Sequence, residues 1–167
     1  MSIDGPRLRH QRRGGDIGWV LHTHGEYYTR HHGFGLNFES TVARILAEFS
    51  ESCDERRERL WIAEDDERRL GSIMLIHEGD EGSTPISRLR LFYVDEAARG
   101  TGLGSRLIRA CVDYSRACGY GAIVLDTVQQ LTAARRLYQR EGFRVVHSFE
   151  HATWGPKVDE EVWRLDF

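Results

Sequence analysis

Residues 98–107 have the sequence ARGTGLGSRL, and this stretch constrains the fold more than any other. Three glycines, Gly100, Gly102 and Gly104, stand between the strand-like run RLRLFYV and a run with the spacing of an amphipathic helix. The first N–H groups of a helix have no partner inside it and carry partial positive charge. Glycines leave the approach to those groups open and permit backbone angles that other residues avoid. The segment therefore predicts a strand–loop–helix unit that binds an anion at the helix N-terminus.

Three phosphate-binding patterns compete for this loop. The nucleotide-triphosphate loop needs the spacing GxxxxGK, which is absent, and Arg106 stands where its lysine would be. The dinucleotide fingerprint GxGxxG needs a glycine where Ser105 stands, and it favours the first strand of a domain. The third pattern is Arg or Gln, two residues, Gly, one residue, and Gly or Ala. It matches Arg99 to Gly104 at every fixed position.

The composition favours one globular domain over residues 1–167. Of the 167 residues, 40% are hydrophobic and 29% are charged, and the net charge is −3. This balance gives no footprint for nucleic acid or a membrane surface, so neither partner is expected. No apolar run approaches the roughly 20 residues of a membrane span. The N-terminus lacks an apolar signal stretch, and three cysteines without a CxxC spacing indicate reduced thiols, so we expect a cytoplasmic protein.

Helical periodicity predicts two helices near the N-terminus, over residues 14–35 and 37–52. Asp16 and Asn37 fit the N-cap positions of these helices. Gly25 is expected to interrupt or end the first piece.

Hydrophobic periodicity in the rest of the sequence predicts an α/β fold with a mixed sheet. Strands are expected over residues 6–13, 59–64, 70–78, 86–94, 122–127, 143–150 and 160–167. Two further helices are expected over residues 104–120 and 131–142. The order is helices, an antiparallel meander, and a strand–helix–strand crossover followed by a helix and two strands. That single parallel crossover is expected to be right-handed.

The third loop pattern resembles the pyrophosphate-binding motif of the GCN5-related N-acetyltransferases (the GNAT family), which bind acetyl-CoA. The segment LFYVDEAARGTGLGSRLI is similar to the family's strand–loop–helix unit throughout. The segment AARRLYQREGFRVV resembles a second family motif, whose fixed positions are Ala134, Tyr138, Gly142 and Phe143 here. The two motifs stand in the family's order, and the similarity extends over residues 58–167.

Two terminal segments resemble a narrower group. GDIGWVLHTHGEYY and VWRLDF are similar to the acetyltransferase half of bacterial fusions that carry a MarR-type DNA-binding domain in front. The similarity does not extend to that front domain, so we expect no DNA binding.

The resemblance implies the GNAT fold, an α/β (α+β) architecture. Its mostly antiparallel sheet has about seven strands, a central parallel β-α-β unit and flanking helices. It also implies an enzyme that moves the acetyl group of acetyl-CoA to an amine of a small molecule or a protein, by direct attack in a ternary complex. We expect a monomer or a homodimer. A non-catalytic acyl-CoA sensor is the alternative, because strand 86–94 lacks a carboxylate that relatives often use as the base. A nucleotide-binding regulator is a third hypothesis, against which the second motif counts.

The resemblance also assigns the acetyl-CoA contacts. Loop N–H groups would bind the pyrophosphate, and the end of the strand would pair with the pantetheine arm where its parallel neighbour diverges. Arg136 and Arg140 are further candidates for the 3′-phosphate. The cofactor-binding residues are expected to be Phe92, Tyr93, Val94, Arg99, Gly100, Thr101, Gly102, Leu103, Gly104, Ser105, Ala134 and Arg135.

Tyr138 is expected to be the general acid. CoA leaves as a thiolate that must be protonated, and a phenol with a reference pKa of about 10 can supply the proton. By periodicity alone Tyr138 would be a core aromatic residue, and the second motif favours catalysis. Leu131 departs from the family pattern, in which an Asn often stands seven residues before the Tyr. The base stays open between water, Glu64, Glu78 and a histidine of the first helix.

The acceptor is expected to bind against the first two helices. His24, Glu26, Tyr28, Arg90 and Thr127 are the candidate acceptor contacts. Arg88 and Arg90 favour an acceptor that also carries a carboxylate.

No metal site and no covalent nucleophile are predicted. His22 and His24 lie two apart, so they point in different directions on a helix, and no cysteine or carboxylate cluster completes a site. Cys111 and Cys118 lie on or near the buried face of a helix and would be poor nucleophiles.

Overall fold

The computed structural model describes residues 5–66 and 68–167. The strands are β1 (Arg7–Arg9), β2 (Arg59–Asp65), β3 (Arg68–Glu81), β4 (Thr84–Val94), β5 (Ala122–Val128), β6 (Arg144–His151) and β7 (Val158–Asp166). The helices are α1 (Asp16–His32), α2 (Leu36–Ser52), α3 (Leu103–Ala117) and α4 (Thr132–Arg140), with a 3₁₀ turn at Glu96–Ala98. Within the described ranges, no helix has the length and hydropathy needed to cross a membrane.

The strands form one sheet in the order β1-β2-β3-β4-β5-β7-β6. All neighbouring strands are antiparallel except β4 and β5, which are parallel and are connected through α3. This arrangement confirms the predicted mixed and mostly antiparallel sheet with a central parallel β-α-β unit and flanking helices.

The sheet separates two apolar cores because successive strand residues point to opposite faces. On one face, α3 and α4 pack on a cluster that includes Ile73 and Leu107. On the other face, α1 and α2 pack on a cluster that includes Val20, Leu46 and Met74. Fully burying one such side chain stabilises the fold by about 1.5–3 kcal/mol. Both pairs of helices are therefore held firmly against the sheet.

The parallel strands β4 and β5 pair only at their beginnings. The register runs from Ile86 opposite Ala122 to Arg88 opposite Val124, although both strands continue for several residues. Further along β4, Leu91 and Phe92 stand opposite a single residue of β3, and Leu91 has a positive φ of 50°. Such a bulge bends a strand and disrupts its pairing. After Arg88 and Val124 the two strands diverge and leave an opening in the middle of the sheet.

Helix α1 differs from the prediction at two points. It begins after Gly15, whose φ of 87° lies in the left-handed region, so Asp16 is the first helical residue and not the N-cap. It also continues through Gly25, where a Cβ would lie 3.0 Å from a carboxylate oxygen of Glu39 in α2. Gly25 allows the two helices to approach each other and does not break the first one.

Helix α2 and strand β1 also differ from the prediction. Helix α2 begins at Leu36 after Gly35, so Asn37 is not its N-cap. The Asn37 amide instead donates a hydrogen bond to the carbonyl of Thr153 at 3.3 Å. Strand β1 is shorter than predicted because its ladder with β2 covers only Arg7–Arg9.

A buried ionic cluster joins β1, β2, β3 and α1. Asp16, which is 1% exposed, accepts hydrogen bonds from both terminal nitrogens of Arg9 at 2.7 Å, from Arg69 Nε at 2.8 Å and from the Arg13 N–H at 2.7 Å. Arg9 Nε also donates to Glu64 at 2.7 Å. Burial by itself would raise the pKa of Asp16, but the hydrogen bonds from Arg9, Arg13 and Arg69 outweigh it and lower the pKa from 3.8 to about 2.

Removing the Asp16 charge is expected to destabilise the protein. In Asp16→Asn, Arg9 stays buried without its main partner, and the free energy of unfolding at pH 7 should fall by about 3 kcal/mol. Because the folded-state pKa is lowered, this stabilisation is present above pH 3.8 and is lost as the pH falls towards about 2. Between pH 3.8 and about 2, the free energy of unfolding measured in urea should therefore fall less in the variant than in the wild type.

The matched control is Asp65→Asn, which removes a surface ion pair with Arg68. Its effect at pH 7 should stay below about 1 kcal/mol. Equal effects of the two substitutions would contradict the structural role assigned to Asp16.

Candidate functional site

A cavity of about 750 Å³ opens where β4 and β5 diverge. Helices α1 and α2 form one wall, and the loop before α3 together with α4 forms the other. The ends of β4 and β5 form the floor, and Trp154 and Glu160 close one side. A volume of several hundred Å³ is typical of small-molecule and cofactor sites.

The glycines at the start of α3 serve two purposes. Gly100 and Gly102 have φ values of 75° and 85°, and a Cβ on either would meet no atom within 4 Å. They therefore form the left-handed turn and keep its open side clear. Gly104 has ordinary backbone angles, but a Cβ there would lie 2.9 Å from Leu137 and 3.4 Å from Phe92. Gly104 thus lets α3 pack closely against α4 and β4.

The loop presents free N–H groups to the cavity. Gly102 is the N-cap of α3, and the first helical hydrogen bond runs from the Arg106 N–H to the Gly102 carbonyl at 3.1 Å. The N–H groups of residues 103–105 precede that bond, so they are available to an anion. The arrangement suits a diphosphate better than a neutral ligand.

Most of the residues expected to contact the cofactor line this cavity. They are Phe92, Tyr93, Val94, Arg99, Gly100, Gly102, Gly104, Ser105 and Ala134. Thr101 does not line it, and its hydroxyl donates to the Ala98 carbonyl at 2.7 Å. Leu103 is buried in the core between α3 and the sheet.

Arg135 is directed away from the cavity, contrary to its expected role. Its guanidinium donates to both carboxylate oxygens of the buried Glu161, at 2.9 and 3.1 Å. Trp163 Nε1 donates to the same carboxylate at 2.9 Å. Arg136 and Arg140 line the cavity instead, because consecutive helical residues point in different directions.

Tyr138 lies at the meeting point of α4, β4 and β7. It is 4% exposed and lines the cavity, and its ring packs against those of Phe92, Phe143 and Trp163. No other described residue forms a hydrogen bond with its hydroxyl. Burial raises the pKa of the phenol above its usual range, so the hydroxyl stays protonated at physiological pH. Its side chain lines the cavity beside Phe92 of β4, where a protonated hydroxyl is able to donate a proton.

The two strand carboxylates considered as the base are engaged elsewhere. Glu64 accepts hydrogen bonds from Arg7 and Arg9 at 2.7 Å each. Glu78 accepts two from Arg88, at 2.6 and 2.7 Å. Neither carboxylate lines the cavity.

Two other carboxylates, Asp126 and Glu160, do line the cavity, and the sequence analysis missed both. Asp126 forms an ion pair with Arg88. Glu160 on β7 lies 2.6 Å from His151 Nε2, and the Thr153 N–H donates to His151 Nδ1 at 3.2 Å. Since Nδ1 accepts, the neutral ring carries its proton on Nε2 and donates it to Glu160. Burial, followed by the nearby charge of Asp126, raises the pKa of Glu160 above its usual value.

The alternation of side chains along a strand could have identified Glu160 as a residue of the cavity. Glu160 and Glu161 are neighbours on β7, so their side chains point to opposite faces of the sheet. Glu161 points to the core and is held by Arg135, which leaves Glu160 on the cavity face. Only the position of β7 beside β5 reveals which face lines the cavity.

Helix α1 contributes polar aromatic side chains to the wall. His24 is 2% exposed, and its Nδ1 donates to the Val20 carbonyl at 2.8 Å. Its Nε2 is buried without a partner among the described residues. Burial lowers the pKa of His24 to about 4, so the ring is neutral and Nε2 offers a lone pair. Tyr28 and Thr127, two other candidate acceptor contacts, also line the cavity.

Glu26 lies outside the cavity. It occupies the exposed face of α1, where it forms an ion pair with Arg30 at 2.9 Å and lies 3.6 Å from His22 Nε2. Among the described residues there is also no group of three or more histidine, cysteine or acidic side chains placed to hold a metal ion.

The sequence matches known acetyltransferases over most of its length. Residues 20–143 match the model of the acetyltransferase (GNAT) family. Human N-acetyltransferase 8B is 35% identical over 102 residues, which cover 59% of this chain and 44% of that protein. An N-acetyltransferase of Schizosaccharomyces pombe is 35% identical over 82 residues, covering 49% of this chain and 48% of that protein. The matches thus span about half the length of these curated relatives.

Solved structures share the fold. A GCN5-related N-acetyltransferase from Kribbella flavida superposes with a TM-score of 0.79 at 23% identity, covering 99% of this chain and 100% of that chain. The structure of yncA from Salmonella typhimurium, solved with its cofactor acetyl-CoA, has a TM-score of 0.74 at 17% identity and covers 98% of this chain and 94% of that chain.

A side chain at Gly102 is expected to block the loop. Gly102→Val adds a branched side chain on the open side of the turn, so acetyl-CoA affinity measured by calorimetry should fall at least about 10-fold as N–H contacts to the pyrophosphate are lost. Gly82→Val is the matched control, because Gly82 also has a positive φ, of 64°, with no atom within 4 Å of a Cβ. Both variants should lose a similar 1–2 kcal/mol or so of stability. Equal acetyl-CoA affinities in the two would exclude the loop as the pyrophosphate site.

Proposed function

The chain belongs to the acetyltransferase (GNAT) family, and from this premise we propose that it transfers the acetyl group of acetyl-CoA to an amine acceptor. One observation carries the proposal. A single cavity joins the free N–H groups before α3, the edge of β4 that no longer pairs with β5, and Tyr138. These are the groups needed to hold a diphosphate, to position an extended amide-bearing arm and to protonate a thiolate.

The acetyl group is transferred directly between the two substrates in this proposal. A covalent acyl-enzyme would need a reactive side chain in the cavity, and none of the described residues that line it is a cysteine. Cys111 is fully buried in the core, and burial raises the pKa of its thiol. The acceptor nitrogen instead attacks the thioester carbonyl carbon, so that the C–N bond forms and the C–S bond breaks.

Tyr138 and Glu160 perform the two proton transfers. Tyr138 donates its proton to the departing thiolate of CoA and recovers one from solvent. Glu160 accepts the proton that the amine loses, while His151 holds the carboxylate in place. A carboxylate with a raised pKa is a better base near neutral pH than an ordinary one.

The structure removes the reason for the alternative hypothesis, a non-catalytic acyl-CoA sensor. It rested on the lack of a carboxylate on strand β4, and two carboxylates, Asp126 and Glu160, line the cavity from β5 and β7. A cavity that only binds an acyl-CoA has no need of a proton donor and a proton acceptor.

The finer placement within the family also belongs to this proposal. We place the chain nearest to the acetyltransferase half of MarR-type fusions, on the similarity of the segments GDIGWVLHTHGEYY and VWRLDF to that group. We further propose one catalytic domain that acts in the cytoplasm as a monomer or homodimer.

Tyr138→Phe tests the general acid. Removing the hydroxyl should lower kcat roughly 100-fold or more, because proton transfer to the thiolate is lost. The acetyl-CoA dissociation constant should change by less than about 2-fold, since the hydroxyl is not expected to hold the ground state. The assay follows free thiol release with a broad amine panel, peptides included.

Tyr120→Phe is the control, because Tyr120 is also buried but lies outside the cavity, with its hydroxyl donating to Arg57 O at 3.3 Å. It should retain kcat. An equal loss of turnover and acetyl-CoA affinity in Tyr138→Phe would reduce Tyr138 to a packing residue.

Glu160 is tested by the pH dependence of kcat/KM. The wild-type rate should rise with pH as Glu160 loses its proton, and Glu160→Gln should lose both that limb and most of the rate. His151→Asn removes a donor that lowers the pKa of Glu160, so the limb should move to higher pH. Glu150→Gln, at an exposed pair with Lys157, should leave the profile unchanged. A profile that His151→Asn does not move would remove Glu160 from the mechanism.

A further inference from the structure

Arg90 is an unpaired cation in the cavity wall. It lies on β4 beside the point where the strand diverges from β5, and it is half-buried. Its Nε is buried without a hydrogen-bond partner, and no described residue forms an ion pair with it. A buried donor nitrogen without a partner is unfavourable unless a ligand accepts its hydrogen bond.

Arg88, on the same strand, differs from Arg90 because its guanidinium is hydrogen-bonded to carboxylates. Arg88, two residues earlier, contacts Glu78 with two nitrogens and Asp126 with a third. The acidic side chains of this region are thereby occupied by Arg88. Burial, and then the positive charge of Arg88, lowers the pKa of Arg90, so its surroundings favour the arrival of an anion.

The groups around Arg90 carry both signs of charge. Asp126, Glu78 and Glu48 are the acidic residues whose charges act on it from β5, β3 and α2. Glu160 lines the same cavity from β7. A ligand here therefore meets one unpaired cation, with carboxylates that attract an ammonium group close by.

The cavity also has an aromatic wall. Tyr28, Phe34, Phe38 and Trp154 line it, and their rings pack on one another with centroids 4.5–5.4 Å apart in neighbouring pairs. Val42 and Ile45 of α2 add apolar surface to the same cavity. Such a wall suits a flat or branched apolar group.

We propose that the acceptor is an α-amino acid with an aromatic or branched apolar side chain, whose carboxylate binds Arg90. This rests on the proposed acetyl transfer and names its substrate class. The α-ammonium group lies towards Glu160 and loses its proton there, and the side chain packs on the aromatic wall. Transfer converts the amine to an amide and releases CoA, with no further reactant.

Amines that differ only in the carboxylate test whether the acceptor's carboxylate contributes to recognition. Phenylalanine is compared with phenethylamine, and leucine with 3-methylbutylamine, by thiol release in the presence of acetyl-CoA. The amino acid of each pair should have a kcat/KM at least about 10-fold higher, as expected for a charge-assisted contact. Phenylalanine should also exceed alanine.

Arg90→Gln should reduce the preference within each pair to less than about 2-fold, and Arg90→Lys should retain part of it. Arg109→Gln, which removes an arginine paired with Glu141 outside the cavity, is the control and should keep the full preference. Unchanged acetyl-CoA affinity in all three variants shows that they are folded.

A second measurement needs no turnover. With CoA bound, N-acetylphenylalanine should bind the wild type at least about 10-fold more tightly than N-acetylphenethylamine in calorimetry. Acetylation of the plain amines at equal or higher rates would overturn this inference while leaving acetyl transfer intact, and so would equal or absent binding of the two products. Failure to bind acetyl-CoA at all would instead overturn the proposed function.

Discussion

The site depends on the early end of the pairing between β4 and β5. The two parallel strands share a ladder only from Ile86 to Arg88, and the bulge at Leu91 and Phe92 turns β4 away from its neighbour. A continuous sheet would bury the backbone groups of both strands in hydrogen bonds and leave no room between them. The divergence exposes a strand edge to an extended ligand, opens the floor of the cavity, and gives Tyr138 and Glu160 access from α4 and β7.

The charges of the molecule are divided between stability and binding. Arg9 and Asp16 satisfy each other in a buried cluster that fixes α1 to the sheet, and Arg135 satisfies Glu161 beneath α4. In both places a buried ion is saturated by its neighbours. Arg90 is half-buried and lacks such a partner among the described residues. This contrast, more than the presence of an arginine, is why we propose that Arg90 binds the acceptor.

Local patterns predicted the fold, and they predicted the glycine loop and the helix that line one wall of the cavity. The glycine cluster and the Ala134–Tyr138 helix lie within short segments, so their spacing was visible in the chain. The carboxylates could not be found in the same way, because Asp126 and Glu160 come together only through the pairing of β5 with β7. The sequence also does not show which way each side chain of α4 points. Arg135 and Arg136 look equivalent in the sequence, but one contacts Glu161 and the other faces the cavity.

The most direct test of the account is a crystal structure of the protein with CoA. We predict the pyrophosphate on the N–H groups between Gly100 and Ser105, and the pantetheine arm along Phe92–Val94. The CoA sulfur should lie within reach of a hydrogen bond from the Tyr138 hydroxyl. A cofactor bound outside the opening between β4 and β5, or a sulfur remote from Tyr138 with the loop in place, would contradict it.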